Sequence, residues 1–218
     1  EVVTLPGHKD IVQSLRFSPD GTLVAAGGYQ MVKIWRAPAD KELLQYRDPA
    51  SQKALLAHGD QVPGVALSPD GKLLATASLD GKVLLWDTAT GSPQRTIAAG
   101  GPLYSIAFSS DAKLLATGGA KNIRLWDVAT GNLVHEYEGH QGIVTGVAFA
   151  PAGDAIASSS ADQSLRLWEL PSHRELKSLE AHKEAVSTMA TSPDGKLLAT
   201  ASADMTVKVF DLASGKVL

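Results

Sequence analysis

The chain has 218 residues, 44% of them apolar, and its 20 basic and 23 acidic residues leave a net charge of −3. It has no cysteine, which excludes a disulfide framework, a thiolate metal site and a cysteine nucleophile. There is no basic stripe of the kind phosphate backbones require and no apolar run long enough to span a bilayer, so neither nucleic acid nor a membrane is expected as a partner.

Glu1–Leu5 reads as an isolated strand, and five copies of one unit follow it. Residues 68–78 recur letter for letter at 192–202. Aligned on that block, the copies end a strand on Trp35, Trp86, Trp126, Trp168 and Phe210. Each copy carries a turn, at Ser18–Gly21, Ser68–Gly71, Ser109–Ala112, Ala150–Gly153 and Ser192–Gly195. A recurring unit of this size cannot bury its apolar face alone, so its neighbours must cover it.

Within a copy the pattern is β. Val62–Leu67 is short and apolar, and Pro-Asp-Gly then sets one φ with proline and admits a positive φ with glycine. Leu73–Ala77, a polar turn and Lys82–Trp86 follow. Ile123–Trp126 and Val207–Phe210 alternate apolar and charged residues, the period-two mark of a half-exposed strand. A more polar fourth segment such as Leu133–Tyr137 leads to the next copy. The expectation is an all-β single domain over 1–218, with four antiparallel strands in each of repeats 6–50, 51–97, 98–138, 139–180 and 181–218.

Gly7-His8 and Gly139-His140, the Ala-His variants at 57–58 and 181–182, the Ser-Pro-Asp-Gly turns and the Trp-Asp pairs at 86–87 and 126–127 carry a resemblance. Together they resemble the WD-repeat β-propeller family. That resemblance implies propeller blades, each braced by a buried chain from a turn Asp to His to a strand hydroxyl to the Trp indole. Carried over, it names His58, Ser78, Asp80 and Trp86 in copy 2, and His140, Ser160, Asp162 and Trp168 in copy 4. In copy 5 it names His182, Ser202 and Asp204, with Phe210 unable to donate the last bond. Copies 1 and 3 depart from the pattern, with Gly28 and Gly119 at the Ser position, shortened turns and Ala99 in place of His.

A hydrolase reading of these His, Ser and Asp residues fails, because the set repeats and its Ser sits on no nucleophile elbow. Lone turn carboxylates (Asp20, Asp70, Asp194) do not make a calcium loop, and the Gly27-Gly28, Gly100-Gly101 and Gly118-Gly119 pairs make no phosphate cradle. His135 and His173 are expected to lie far apart. No catalytic residue, metal site or cofactor is therefore expected, and the function class that remains is protein or peptide binding.

The family's usual contact loops place Ile11, Gln13, Tyr29, Gln61, Leu79, Tyr104, Ile143 and Thr145 on one face, with Pro63, Pro102 and Ser187 at related positions. A long insertion after Trp35, over residues 37–50, offers Leu43, Leu44, Tyr46 and Arg47 on the opposite face. A regulatory or substrate-positioning module of a larger protein is the alternative. With Glu1–Leu5 as a fourth strand lacking its own copy, two outcomes follow: that strand completes copy 5 and closes a five-blade ring, or the chain is a fragment of a wider propeller, the reading favoured by the repeat length. An open ring of this kind would self-associate through its terminal blades. Localisation stays open; the absence of cysteine and of a visible leader favours the cytoplasm.

Overall fold

A computed structural model describes residues 10–36, 43–45, 58–192, 194–212 and 214–218. All regular elements among them are β-strands. They form five antiparallel meanders, each the blade of a β-propeller and each following one sequence repeat. Blade 1 contains β1 (Ser14–Phe17), β2 (Leu23–Gly27), β3 (Val32–Arg36) and β4 (Leu43–Gln45). Blade 2 contains β5 (Gly64–Leu67), β6 (Leu73–Ala77), β7 (Lys82–Asp87) and β8 (Pro93–Ala98). Blade 3 contains β9 (Ser105–Phe108), β10 (Leu114–Gly118), β11 (Asn122–Asp127) and β12 (Leu133–Glu138). Blade 4 contains β13 (Val144–Phe149), β14 (Ala155–Ser160), β15 (Ser164–Glu169) and β16 (Glu175–Glu180). Blade 5 has β17 (Val186–Thr191), β18 (Leu197–Ser202) and β19 (Val207–Asp211), and a Phe210–Val217 bridge starts its outer edge.

The insertion after Trp35 differs from its sequence reading. Leu43 pairs with Trp35 and Leu44 with Ile34, so both belong to the fourth strand rather than to a loop. Tyr46, Arg47, His8 and Glu1–Leu5 lie outside the described residues.

The chain divides into two compact units, Glu1–Leu103 and Tyr104–Leu218. In the first, Leu23 and Ile34 of blade 1 pack with Val62, Val65, Leu74 and Trp86. In the second, Ile123 and Leu125 pack with Val144, Phe149 and Trp168, and Leu165 packs with Met189, Leu198 and Phe210. All five aromatics that end the third strands are buried, and Trp86, Trp168 and Phe210 are packed where one blade of a unit meets the next. The outer strands β8, β12 and β16 are mostly exposed, matching their polar sequence.

The repeated turn braces itself. Ser68 Oγ donates to Asp70 at 2.7 Å, the Leu73 amide donates to Ser68 Oγ at 2.9 Å, and Gly71 takes a φ of 69°. The Ser68 hydroxyl, and then the Lys72 amide, hold the Asp70 carboxyl below the usual carboxylate range. Neighbouring blades are tied by a second device at their inner ends. Ser14 Oγ donates to the Val62 carbonyl at 3.0 Å and Ser105 Oγ to the Val144 carbonyl at 3.0 Å. A Cβ on Gly27 or Gly118 would stand 2.6 or 2.7 Å from those carbonyls, so these two glycines leave room for the neighbouring blade.

A buried hydrogen-bond chain runs through blades 2 and 4, and its hydroxyl is not the one the sequence reading names. In blade 2, His58 Nδ1 faces Asp80 at 3.2 Å and Nε2 meets Thr76 Oγ1 at 2.8 Å. The Trp86 indole N–H donates to the same Oγ1 at 3.2 Å. In blade 4 the chain is Asp162, His140, Ser158 and Trp168, with contacts of 2.9, 2.8 and 2.9 Å. In blade 5, His182 joins Asp204 at 3.0 Å to Thr200 at 2.8 Å, and Phe210 donates nothing. Ser78, Ser160 and Ser202 instead accept the amides of Asp80, Asp162 and Asp204 inside the turn. The reason is depth. A hydroxyl at the strand's end bonds the nearby turn amide, whereas one two residues earlier, on the same face, lies level with the indole. Blade 3 lacks the His, yet Thr117 still accepts from the Trp126 indole at 2.9 Å. Blade 1 has Ala26 at that position.

In blades 2 and 4 the chain is fully satisfied when the imidazole is neutral, with its proton on Nδ1 and Nε2 accepting from the hydroxyl. Burial lowers the pKa of both His58 and His140, overcoming the opposing pull of Asp80 and Asp162. Burial alone would raise Asp80, but the Gly59 amide, His58 and the Lys82 amide together hold it below the usual range.

Two outcomes are expected. Ser158→Ala strands two buried nitrogens and should cost about 1–3 kcal/mol in urea unfolding, clearly more than Ser160→Ala; equal losses would return the bracing role to Ser160. Both histidines and Asp80 have lowered values in the fold, so the unfolded chain takes up protons first. Stability should therefore decline as pH falls below about 6.5 and again below about 3.9, with urea midpoints that decrease monotonically. A midpoint unchanged between neutral pH and pH 5 would contradict the neutral-imidazole chain.

Candidate functional site

Strand polarity sorts the connections. The links from second to third strand and from one blade to the next share one end of each blade, and the Pro-Asp-Gly turns share the other. The residues expected to bind a partner stand at the first end. The buried chain fixes this end, because each Asp also accepts the amide after its His: Gly59 to Asp80 at 2.8 Å, Gln141 to Asp162 at 2.8 Å and Lys183 to Asp204 at 3.0 Å.

In the first unit, Tyr29 and Gln61 form an isolated antiparallel bridge, and the Leu79 amide donates to the Gln61 carbonyl at 3.0 Å. Tyr29, Gln61 and Leu79 are thus stitched together through backbone. Tyr29 is 48% exposed and Ile11 69% exposed. Gln13 is also exposed, and its amide donates to Gly27. A shallow depression of about 350 Å³ lies beside Leu79, walled by Lys82, Gly100 and Pro102.

In the second unit, the Tyr104 amide donates to Gly118, and the Ile143 carbonyl accepts from the Ala161 amide at 2.8 Å. Tyr104 is half-buried and Ile143 exposed. Thr145 is placed differently from the others. Its hydroxyl donates to the Val186 carbonyl at 2.7 Å, the bond Ser105 makes one blade earlier, because a bulge at Val144–Gly146 brings Thr145 into that role. It fastens blades 4 and 5 together, and its proton is not offered to a partner.

His135 and His173, expected to lie apart, are stacked with ring centroids 4.1 Å apart and planes 13° from parallel. Tyr137 completes the cluster, its hydroxyl 3.0 Å from His173 Nδ1, and burial pushes its pKa up to about 12. The pair joins the outer strand of blade 3 to the loop before the outer strand of blade 4. Its members come from different repeats at different offsets, so no spacing within one repeat reveals it. Among the described residues no group of three or more His, Cys, Asp or Glu is placed to hold a metal ion. Burial first, and then the charge of His173, holds His135 below the usual histidine value against the opposing pull of Glu136.

Five segments, residues 1–36, 50–87, 91–127, 131–169 and 173–211, match the family described as WD domain, G-beta repeat. Pre-mRNA-processing factor 19 homolog 2 of Arabidopsis thaliana is 32% identical over 164 residues, covering 73% of this chain and 30% of that protein. Transcription initiation factor TFIID subunit 5 of Caenorhabditis elegans is 28% identical over 162 residues, covering 73% of this chain and 24% of the relative. Small ribosomal subunit protein RACK1y of Oryza sativa subsp. japonica is 31% identical over 125 residues, covering 56% and 34%. The chain thus spans a third or less of the first two of these relatives and about a third of the last.

The stacked pair makes a direct prediction. In His173→Ala, the NMR titration of His135 should move up toward about 6.5, since a neighbouring positive charge is lost and the ring becomes more hydrated. An unmoved titration would mean that the two rings do not sense each other.

Proposed function

Since the chain belongs to the WD-repeat family of β-propeller proteins, we propose that it is a non-enzymatic interaction platform that holds a protein or peptide partner on its loop end. One observation carries this reading: Tyr29 and Ile11 in the first unit and Ile143 in the second stand exposed on loops whose backbones are hydrogen-bonded in place. Large apolar side chains on rigid loops lose little freedom on binding, and tyrosine is enriched among the residues that dominate interfaces. Gln61 and Leu79 extend the first patch and Tyr104 the second, with Gln13 at the margin. One of the relatives is named as a subunit and another as a protein of the small ribosomal subunit, which supports membership of an assembly. Catalysis by the recurring His and Asp is unsupported, because the hydroxyl beside each imidazole is buried and already bonded.

A module within a larger polypeptide is the second reading, supported by the share of the relatives that the chain spans. Self-association is supported at the terminal blades, where Leu15 and Phe17 of blade 1 and Met205 and Val207 of blade 5 are exposed. Light scattering of the isolated chain should show concentration-dependent oligomers, and a monomer with full hydrogen-exchange protection in both terminal blades would remove that part of the proposal. For the loop end, Tyr29→Ala/Tyr104→Ala should abolish recovery of the partner in affinity purification while leaving the unfolding midpoint unchanged. Undiminished recovery would exclude this face.

A further inference from the structure

Each place where two blades of a unit meet can be compared with the others, because one repeat position supplies one wall and another supplies the facing wall. At the Pro-Asp-Gly end, the residue before the turn faces the first residue of the preceding blade's second strand. Between blades 1 and 2 these are Leu67 and Leu23, both packed into the core. Between blades 3 and 4 they are Phe149 and Leu114, again packed together. Between blades 4 and 5 they are Thr191 and Ala155. The first-named position carries Phe17, Leu67, Phe108, Phe149 and Thr191 along the chain, and the second Leu23, Leu73, Leu114, Ala155 and Leu197. Both walls are therefore truncated at this one junction. A cavity of about 330 Å³ opens there, floored by Ala157 and Leu167 and flanked by Leu176 and Leu212.

A third departure coincides with these two. The residue after the turn is Thr22, Lys72, Lys113, Asp154 and Lys196 in the five copies. At the truncated junction a lysine is thus replaced by a carboxylate. Asp154 and Asp194 are the charged residues of the lining, both exposed; one Asp194 oxygen accepts from the Ser192 hydroxyl and the Lys196 amide, and the other has a loose, solvated contact of 3.9 Å to the Lys196 ammonium.

We infer that the groove between blades 4 and 5 is a second docking site, distinct from the loop end, for a peptide segment of a partner protein with a phenylalanine flanked by lysine or arginine. The neighbouring junction shows the fit: Phe149 occupies there the space that Thr191 leaves empty here. The cavity is of the size that takes such a side chain, and its carboxylates complement adjacent cations while disfavouring acidic segments. The groove lies at the end of the blades opposite Tyr104 and Ile143, so the two sites can be occupied together.

The test uses the capped peptide acetyl-Ala-Arg-Phe-Lys-Ala-amide and a counterpart with Glu in place of Arg and Lys, titrated into the isotope-labelled 218-residue chain. The basic peptide should shift the amides of Ala155, Ala157 and Thr191 saturably, and the acidic one should bind about tenfold more weakly or not at all. Ala155→Leu/Thr191→Phe, which restores the side chains of the other junctions, should abolish the shifts while preserving the unfolding midpoint. Asp154→Lys leaves the cavity intact and should weaken the basic peptide several-fold. Absent shifts, equal shifts with both peptides, or retained binding in the filled variant would overturn the inference. So would peak broadening that grows with protein concentration and vanishes in the filled variant, since the occupant would then be a second copy of the chain.

Discussion

An imidazole held between a carboxylate and a hydroxyl is the interaction on which the loop end depends. His58, His140 and His182 each reach from a connecting loop into the middle of a blade. The same Asp that orients the ring also binds the amide of the next residue. Loop backbone and sheet interior are thereby one hydrogen-bonded object. A loop without such an anchor would lose conformational entropy each time it bound, and its exposed side chains would be poor recognition elements. Blades 1 and 3 have altered anchors, and their ends are short instead: in blade 3 the Gly119 amide closes on the Asn122 carbonyl.

Much of this architecture was legible in the residues. The duplicated block, the Pro-Asp-Gly turns and the buried aromatic define each strand to within a residue or two, because turn chemistry and period-two alternation are local. The hydroxyl of the bracing chain was not, since Thr76 within β6 and Ser78 just past its end lie on the same side and differ only in depth, which depends on where Trp86 stands across the sheet. The insertion after Trp35 was misread for a similar reason: Leu43 and Leu44 look like loop residues until pairing with β3 is known. His135 and His173 are brought together by the packing of one blade on another, which no pattern within a repeat encodes.

The copies divide the work unevenly. The block shared by blades 2 and 5 makes turns, inner strands and braces, so its sequence is constrained by architecture. Distinctive chemistry falls where a copy breaks the pattern: Tyr29 beside a shortened turn, Thr145 moved by a bulge, and Ala155, Asp154 and Thr191 meeting at one junction. A repeat array allows such departures because stability is distributed over many similar interfaces, and a defect at one junction leaves the others intact.

The glycines that end the second strands of blades 1 and 3 bear on how such an array can be rearranged. The 68–78 block could be copied into blade 3 with every strand, turn and brace of its own preserved. Its alanine would then replace Gly118 and press a methyl carbon toward the Val144 carbonyl of blade 4. The obstruction lies outside the transplanted segment, in the Ser105 hydroxyl of the recipient's own first strand as well as in Val144 of its neighbour. Sequence exchange between repeats is accordingly limited by adjacency: the smallest freely movable part of this fold is a blade together with the first strand of the next.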